Sequence, residues 1–266
     1  MISHSRLNPM TPAKRRFGQN FLVDRGVVNR IIEAVSPRPD ETIVEIGPGR
    51  GALTARLVET SGRLVAIEFD RELVPQLRAQ FAGSSNLTLV EADALTVDFC
   101  QVIQPAESSR VVANLPYNIA TAILQRLIEQ RHCLKDMTLM LQREVVDRIV
   151  APPGGDAYGR LTVMLAPWVH AERLFEIGPG AFQPPPKVWS AVVRLTVLPQ
   201  PAFEISTHFG AVVAAAFSHR RKTLRNALKD IVTREQIEAC GIDPGMRPET
   251  LAPEAFNALA QTLNTN

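Results

Sequence analysis

Gly47-Pro48-Gly49-Arg50-Gly51 follows the β-branched run Ile43-Val44-Glu45-Ile46 and precedes residues 52–59, where Leu53 and Leu57 stand four apart. A strand, a Gly-x-Gly-x-Gly turn and a helix suit nucleotide binding. The glycines let backbone approach a ligand where a Cβ would clash, and the helix presents its N-terminus. Glu68 lies 21 positions after Gly47, at the end of a second apolar run, 64–67. An acid there accepts hydrogen bonds from both hydroxyls of a ribose. Asp93 follows a third run, Leu87–Val90, where a carboxylate can accept from an adenine amino group. The third glycine comes one position too early for the dinucleotide pattern Gly-x-Gly-x-x-Gly. A methionine-derived sulfonium carries no phosphates and needs no cation beside the glycines. These features favour S-adenosyl-L-methionine over NAD.

Asn114-Leu115-Pro116-Tyr117 follows a fourth run, Arg110–Ala113. An exocyclic adenine amine is a poor nucleophile because its lone pair is conjugated into the ring. Two acceptors on its N–H groups favour the pyramidal form that can attack. The Asn114 carboxamide oxygen and the Leu115 carbonyl suit that task, and proline stiffens the turn. Tyr117 offers a face for an extruded base. No general base is required by this chemistry, and no His, Cys or Ser stands out as one; His219 sits among cations and reads as an RNA or solvent contact. Glu45-Ile46-Gly47-Pro48-Gly49 recurs as Glu176-Ile177-Gly178-Pro179-Gly180. The second copy runs into Pro184-Pro185-Pro186 with no acidic strand end after it, so a plain turn is expected there.

The elements that must hold these groups alternate. A helix is expected before residue 35, another over 71–81 with Pro75 in its first turn, and another after the tetrapeptide. In that last helix Ile119, Ile123 and Leu127 fall four apart, and Leu124 and Ile128 repeat the spacing. Such alternation through residue 150 predicts a doubly wound parallel sheet. Thr162–Val169 and Val192–Val197 read as its later elements, and 151–155 and 184–186 as loops. Leu198-Pro199-Gln200-Pro201 reads as a linker. An α/β domain over 1–198 and a small helical domain over 199–266 are expected.

The 266 residues are 45% hydrophobic and 21% charged, values of an ordinary globular protein that exclude disordered and collagen-like classes. No apolar run approaches the ~20 residues that span a bilayer. Net charge is only +2, but it is unevenly spread. Residues 1–30 hold six cations against Asp24 alone, and residues 219–229 hold Arg220, Arg221, Lys222, Arg225 and Lys229 with no acid. Two such clusters suggest a polyanion footprint, with the second on a helix. Cys100, Cys133 and Cys240 are far apart in sequence, so they read as reduced thiols of a cytoplasmic protein with no metal site. The first ten residues contain no apolar stretch of signal-peptide type.

Across nearly its whole length the chain resembles the ribosomal RNA adenine dimethylases. The resembling residues are Arg16–Leu22, Glu45–Gly51, Asn114–Asn118, Leu141–Val145, Tyr158–Leu161, Phe182–Lys187, Ser190–Val193 and Arg220–Asn226. The resemblance implies a Rossmann-like, S-adenosylmethionine-dependent methyltransferase domain with a small C-terminal helical domain. It implies dimethylation of N6 on two adjacent adenosines near the 3′ end of small-subunit (16S) ribosomal RNA, in ribosome biogenesis, by a monomer. The cofactor contacts it implies are Asn20, Leu22, Gly47, Glu68, Asp93 and Asn114. Asn114, Leu115 and Tyr117 fall at the reacting base, with Phe182 as a second stacking residue, and Arg220, Arg221, Lys222 and Arg225 fall on RNA. Two residues depart from the family pattern: Ala113 stands where glycine is expected, and Trp189 where a small acid is. A large-subunit adenine methylase of the macrolide-resistance type would have isoleucine at 115. A non-catalytic nucleic-acid-binding relative would not need Glu68, Asp93 and Asn114 together.

Overall fold

The computed structural model of the chain describes residues 19–106, 108–219 and 222–263. The first apolar runs become β2 (Thr42–Ile46), β3 (Arg63–Glu68), β4 (Leu87–Glu91) and β5 (Ser109–Asn114), after a short β1 (Phe21–Leu22). Further along come β6 (Leu134–Gln142), β7 (Val169–Ile177), β8 (Phe182–Gln183) and β9 (Ser190–Val197). Seven of these form one sheet in the order β4-β3-β2-β5-β6-β9-β7, while β1 and β8 pair separately. Strands β2 to β6 run parallel to one another. Ile43, Val44 and Ile46 are at most 3% exposed, as a central parallel strand covered on both faces requires. From β2 the chain steps outward through β3 and β4, then returns to β5 on the other side. The order therefore reverses between β2 and β5, and ligands of such sheets bind in the crevice beyond the strand ends at that point.

Helices cover the sheet: α1 (Arg25–Val35), α2 (Thr54–Thr60), α3 (Val74–Gln80), α4 (Phe99–Val102) and α5 (Ala120–Glu129). Helix α1 starts where the Asp24 carboxylate accepts from Val27 N at 3.0 Å, which satisfies an otherwise unpaired amide. Pro75 lies in the first turn of α3, where its missing N–H costs nothing. Helix α5 buries Ile123, Leu124, Leu127 and Ile128, the spacing read from the sequence.

The described residues fall into two compact units. One holds the chain up to Gln142 with Leu174–Val193; the other holds Arg143–Arg173 and the chain from Arg194. The division differs from the one expected at 198/199, because the change of unit falls within β7 and again within β9. The second unit contains α6 (Arg143–Val150), α7 (Arg160–Leu165), α8 (Phe209–Ala216), α9 (Leu224–Leu228), α10 (Arg234–Ala239) and α11 (Pro253–Gln261). Its own core joins Val163, Phe209, Val213, Leu224, Leu228 and Phe256.

Three local expectations are corrected. Residues 160–165 form helix α7, not a sheet element: a short apolar run fits either state, and here Thr162 closes a capping interaction with the Gly159 amide. The strand begins only at Val169. Among its described residues the basic stretch is helical over Leu224–Leu228, because extended Thr223 precedes the helix, so Lys222 lies outside it. Cys100 and Cys133 are not free thiols but a disulfide, since α4 and the turn before β6 bring their Cα atoms to 5.5 Å. Cys240 is free. The second Glu-Ile-Gly-Pro-Gly ends β7 and turns into a single 3₁₀ turn, with no regular helix after it.

Candidate active site

A cavity of about 320 Å³ opens where the strand order reverses, lined entirely from the first unit. Four of the parallel strands each deliver a group to it: Gly47 after β2, Glu68 at the end of β3, Asp93 after β4 and Asn114 at the end of β5. Gly47 and Gly49 have φ of 68° and 59°, which favours glycine at both positions. A Cβ at Gly49 would also lie 3.0 Å from the Phe21 ring. The glycines thus keep the cradle open.

Glu68 is held from behind. Its Oε2 accepts from Gly49 N at 3.1 Å and its Oε1 from Asp70 N at 2.8 Å. Each oxygen keeps a further lone pair for a ligand hydroxyl. Burial pushes this carboxyl up from its ordinary value; the two amides oppose that, and the neighbouring Asp70 charge adds to it. Asp70 in turn accepts from the Gln19 carboxamide at 3.0 Å. Asp93 Oδ1 accepts from Leu95 N at 2.9 Å, which fixes the turn that carries it.

At the other wall, Asn114 Nδ2 donates to the Asn20 carbonyl at 3.0 Å. That bond orients the carboxamide and leaves its oxygen as an acceptor. Leu115 is 1% exposed, so its contribution to the site is a backbone carbonyl, not a side chain. The Tyr117 hydroxyl lies 2.6 Å from Ser190 Oγ, which fixes the ring. Burial raises the Tyr117 phenol above its ordinary value, so it stays protonated at neutral pH.

Asn20, Gly47, Glu68, Asp93, Asn114, Leu115 and Tyr117 all line this one cavity. Leu22 and Phe182 do not. They face each other in the β1–β8 pair and are 6% and 3% exposed, within one hydrophobic core. Phe21, not Leu22, reaches the cavity. The Phe182 ring presents no open face to a base here. Lys222 and Arg225 are exposed residues of the second unit, and Arg220 and Arg221 lie outside the described residues.

Sequence reasoning missed three contributors. Phe69 directly follows Glu68, lines the cavity and is 56% exposed; an aromatic beside a ribose-binding acid was the signal available for it. Ser190 is linked to Tyr117 only by the fold. Glu45 is 1% exposed inside β2, where Thr54 Oγ1 donates to it at 2.7 Å and burial pushes its carboxyl up to about 8.

The donor set fits S-adenosylmethionine. Glu68, Asp70 and Asp93 line the cavity, and no Lys or Arg does among the described residues. That suits a cationic, phosphate-free ligand and would repel a pyrophosphate. Sheet order, glycine turn and strand-end acids together define a Rossmann-like, S-adenosylmethionine-dependent methyltransferase. More narrowly, the chain belongs to the ribosomal RNA adenine dimethylase family, which it matches over residues 10–265. It is 48% identical over 251 residues to the ribosomal RNA small subunit methyltransferase A of Hahella chejuensis, covering 93% of this chain and 92% of that protein. Identity to the protein of the same name from Pseudomonas aeruginosa is 48% over 254 residues, 94% of each chain. Among solved structures, the 23S rRNA methyltransferase ErmE is similar at TM-score 0.74 and 29% identity, covering 92% of this chain and 100% of that one. A dimethyladenosine transferase from Plasmodium falciparum shares the fold at TM-score 0.76 and 24% identity, covering 91% and 97%.

Proposed function

We propose that this enzyme dimethylates N6 of two adjacent adenosines near the 3′ end of small-subunit ribosomal RNA. The observation that carries this reading is the convergence of Asn114, Leu115 and Tyr117 on the cavity that Glu68 and Asp93 also line. S-adenosylmethionine, when bound, supplies an electrophilic methyl group on a sulfonium. Glu68 accepts from the ribose hydroxyls, Asp93 from the adenine amino group, and exposed Phe69 offers a face beside them. The Asn114 oxygen and the Leu115 carbonyl accept from the N–H groups of the target amine and favour its pyramidal form. Tyr117 stacks on the extruded base. The chain's contribution is positioning, a source of roughly 7–11 kcal/mol in well-aligned reactions. No side chain need take the final proton, because the methylated amine is acidic enough to lose it to water. Phe182 supports the wall from the core instead of stacking on the base.

Identity near 48% to small-subunit enzymes supports that substrate over a large-subunit one, although ErmE shares the fold. Leu115 and the Phe182–Lys187 run favour it too. One chain supplies every group the reading uses, so a monomer suffices. Among the described residues no helix is long and apolar enough to cross a membrane, and the reading places the enzyme with ribosomes in the cytoplasm. Labelled methyl donor should mark adjacent adenosines of immature small subunits and leave free large-subunit RNA unmarked. Label on the large-subunit RNA alone, or on neither, overturns the proposal.

A further inference from the structure

Trp189 stands one residue before Ser190, whose hydroxyl meets Tyr117 at 2.6 Å. It is 49% exposed, and Val188 beside it is 41% exposed. A large apolar ring left half in water is an informative observation. Its Cζ2, Cζ3 and Cη2 carbons lie near Gly178, where a Cβ would meet them at 3.7–3.9 Å, an ordinary van der Waals contact. The turn of the second Glu-Ile-Gly-Pro-Gly thus lies beside the indole. Lys187, two residues earlier, is exposed as well. A half-exposed aromatic with an exposed cation two residues away in the chain is a combination that suits single-stranded nucleic acid, the ring for a base and the charge for a phosphate.

We propose that Trp189 is a stacking platform for an unpaired RNA base next to the adenosine held at Tyr117, with Lys187 beside a neighbouring phosphate. The inference rests on the RNA-methylating reading above. A base drawn out of its stack exposes the bases beside it, and a second platform one residue from the Ser190–Tyr117 contact holds that opened strand. An apolar contact to a ribosomal protein would be a different use of the same ring, but the exposed cation two residues before it favours RNA.

Two measurements test it. The chain has two tryptophans, so Trp168→Phe leaves Trp189 as the sole indole. Titration with protein-free small-subunit ribosomal RNA should quench its fluorescence saturably; binding without quenching overturns the proposal in favour of a protein contact or none. In steady-state methylation of the immature small subunit, Trp189→Ala should raise the RNA KM by about tenfold, as loss of one base–aromatic stack does. Its kcat and methyl-donor affinity should stay unchanged, and Trp189→Phe should recover most of the loss. An unchanged KM overturns the proposal, as does a fall in kcat alone, which would mean that Trp189 only buttresses Ser190. Should the wild type methylate a different RNA, the functional reading fails by itself, and the same KM comparison on that RNA still decides the role of Trp189.

Discussion

Glu68 is both a structural acceptor and a binding group. Two backbone amides hold its carboxylate, and its remaining lone pairs face the cavity. Glu68→Ala should cost on the order of 2–3 kcal/mol of methyl-donor affinity, read by calorimetry. Because burial raises its titration above 4.5, wild-type affinity should fall as pH drops through that raised value, and Glu68→Gln should remove the dependence. Glu45 behaves differently. Its carboxyl titrates near 8 when folded against an ordinary 4.5, so between those values the folded chain keeps a proton that the unfolded chain has lost. Stability from this group is fully present below about 4.5 and is lost as pH rises through about 8. Glu45→Gln should remove that decline, an effect on the order of a few kcal/mol at high pH, measurable by denaturant titration at pH 5 and pH 9. At the opposite wall, Asn114→Ala should abolish transfer while RNA binding survives. Tyr117→Phe should keep most activity, since the ring stacks and the hydroxyl only anchors it to Ser190; equal inactivity of Tyr117→Phe and Tyr117→Ala would refute the stacking role.

Elements divide by how local their causes are. Strands β2 to β5 and helix α5 were legible because β-branched runs, glycine turns and four-residue spacing act within a few residues. The same holds for Gly47, Glu68, Asp93 and Asn114, which sit at predicted strand ends. What the sequence hid is non-local. The two-residue β1–β8 pair joins Leu22 to Phe182 across 160 positions, and no periodicity announces it. Cys100 and Cys133 meet only because α4 packs near the end of α5, where the Gln130 side chain also accepts from Phe99 N at 2.7 Å. Helix α7 was misread because its apolar run suits either state. The β1–β8 pair also decides what Phe182 does. Buried at 3% exposure, it should cost about 3–5 kcal/mol of stability on replacement by Ala, as core aromatics do. Phe182→Leu should fold and retain activity if the ring only packs. Loss of kcat with stability intact would return Phe182 to the reacting base.

Over the whole molecule the charge is nearly balanced, +2 on 266 residues, yet the second unit carries a cationic stretch while the first supplies every group of the cavity. Lys222, Arg225 and Lys229 are exposed around α9, whose Leu224 and Leu228 are buried in that unit's core. The helix is thus anchored by its leucines and leaves its cations to solvent. Because Lys222 precedes the helix, the cations do not form one helical stripe; they wrap its start and end, which suits a phosphate track passing over the turn. Each phosphate neutralised adds roughly 0.7–0.9 to the slope of log affinity against log salt. Changing Arg221, Lys222 and Arg225 together to Ala should therefore weaken binding to the small-subunit particle and flatten that slope by about two units. Methyl-donor affinity should not move, since neither Lys222 nor Arg225 lines the cavity. Filter binding across a salt series reads the slope directly. Weaker binding at an unchanged slope would mean that the cations support the fold of this unit and do not touch RNA.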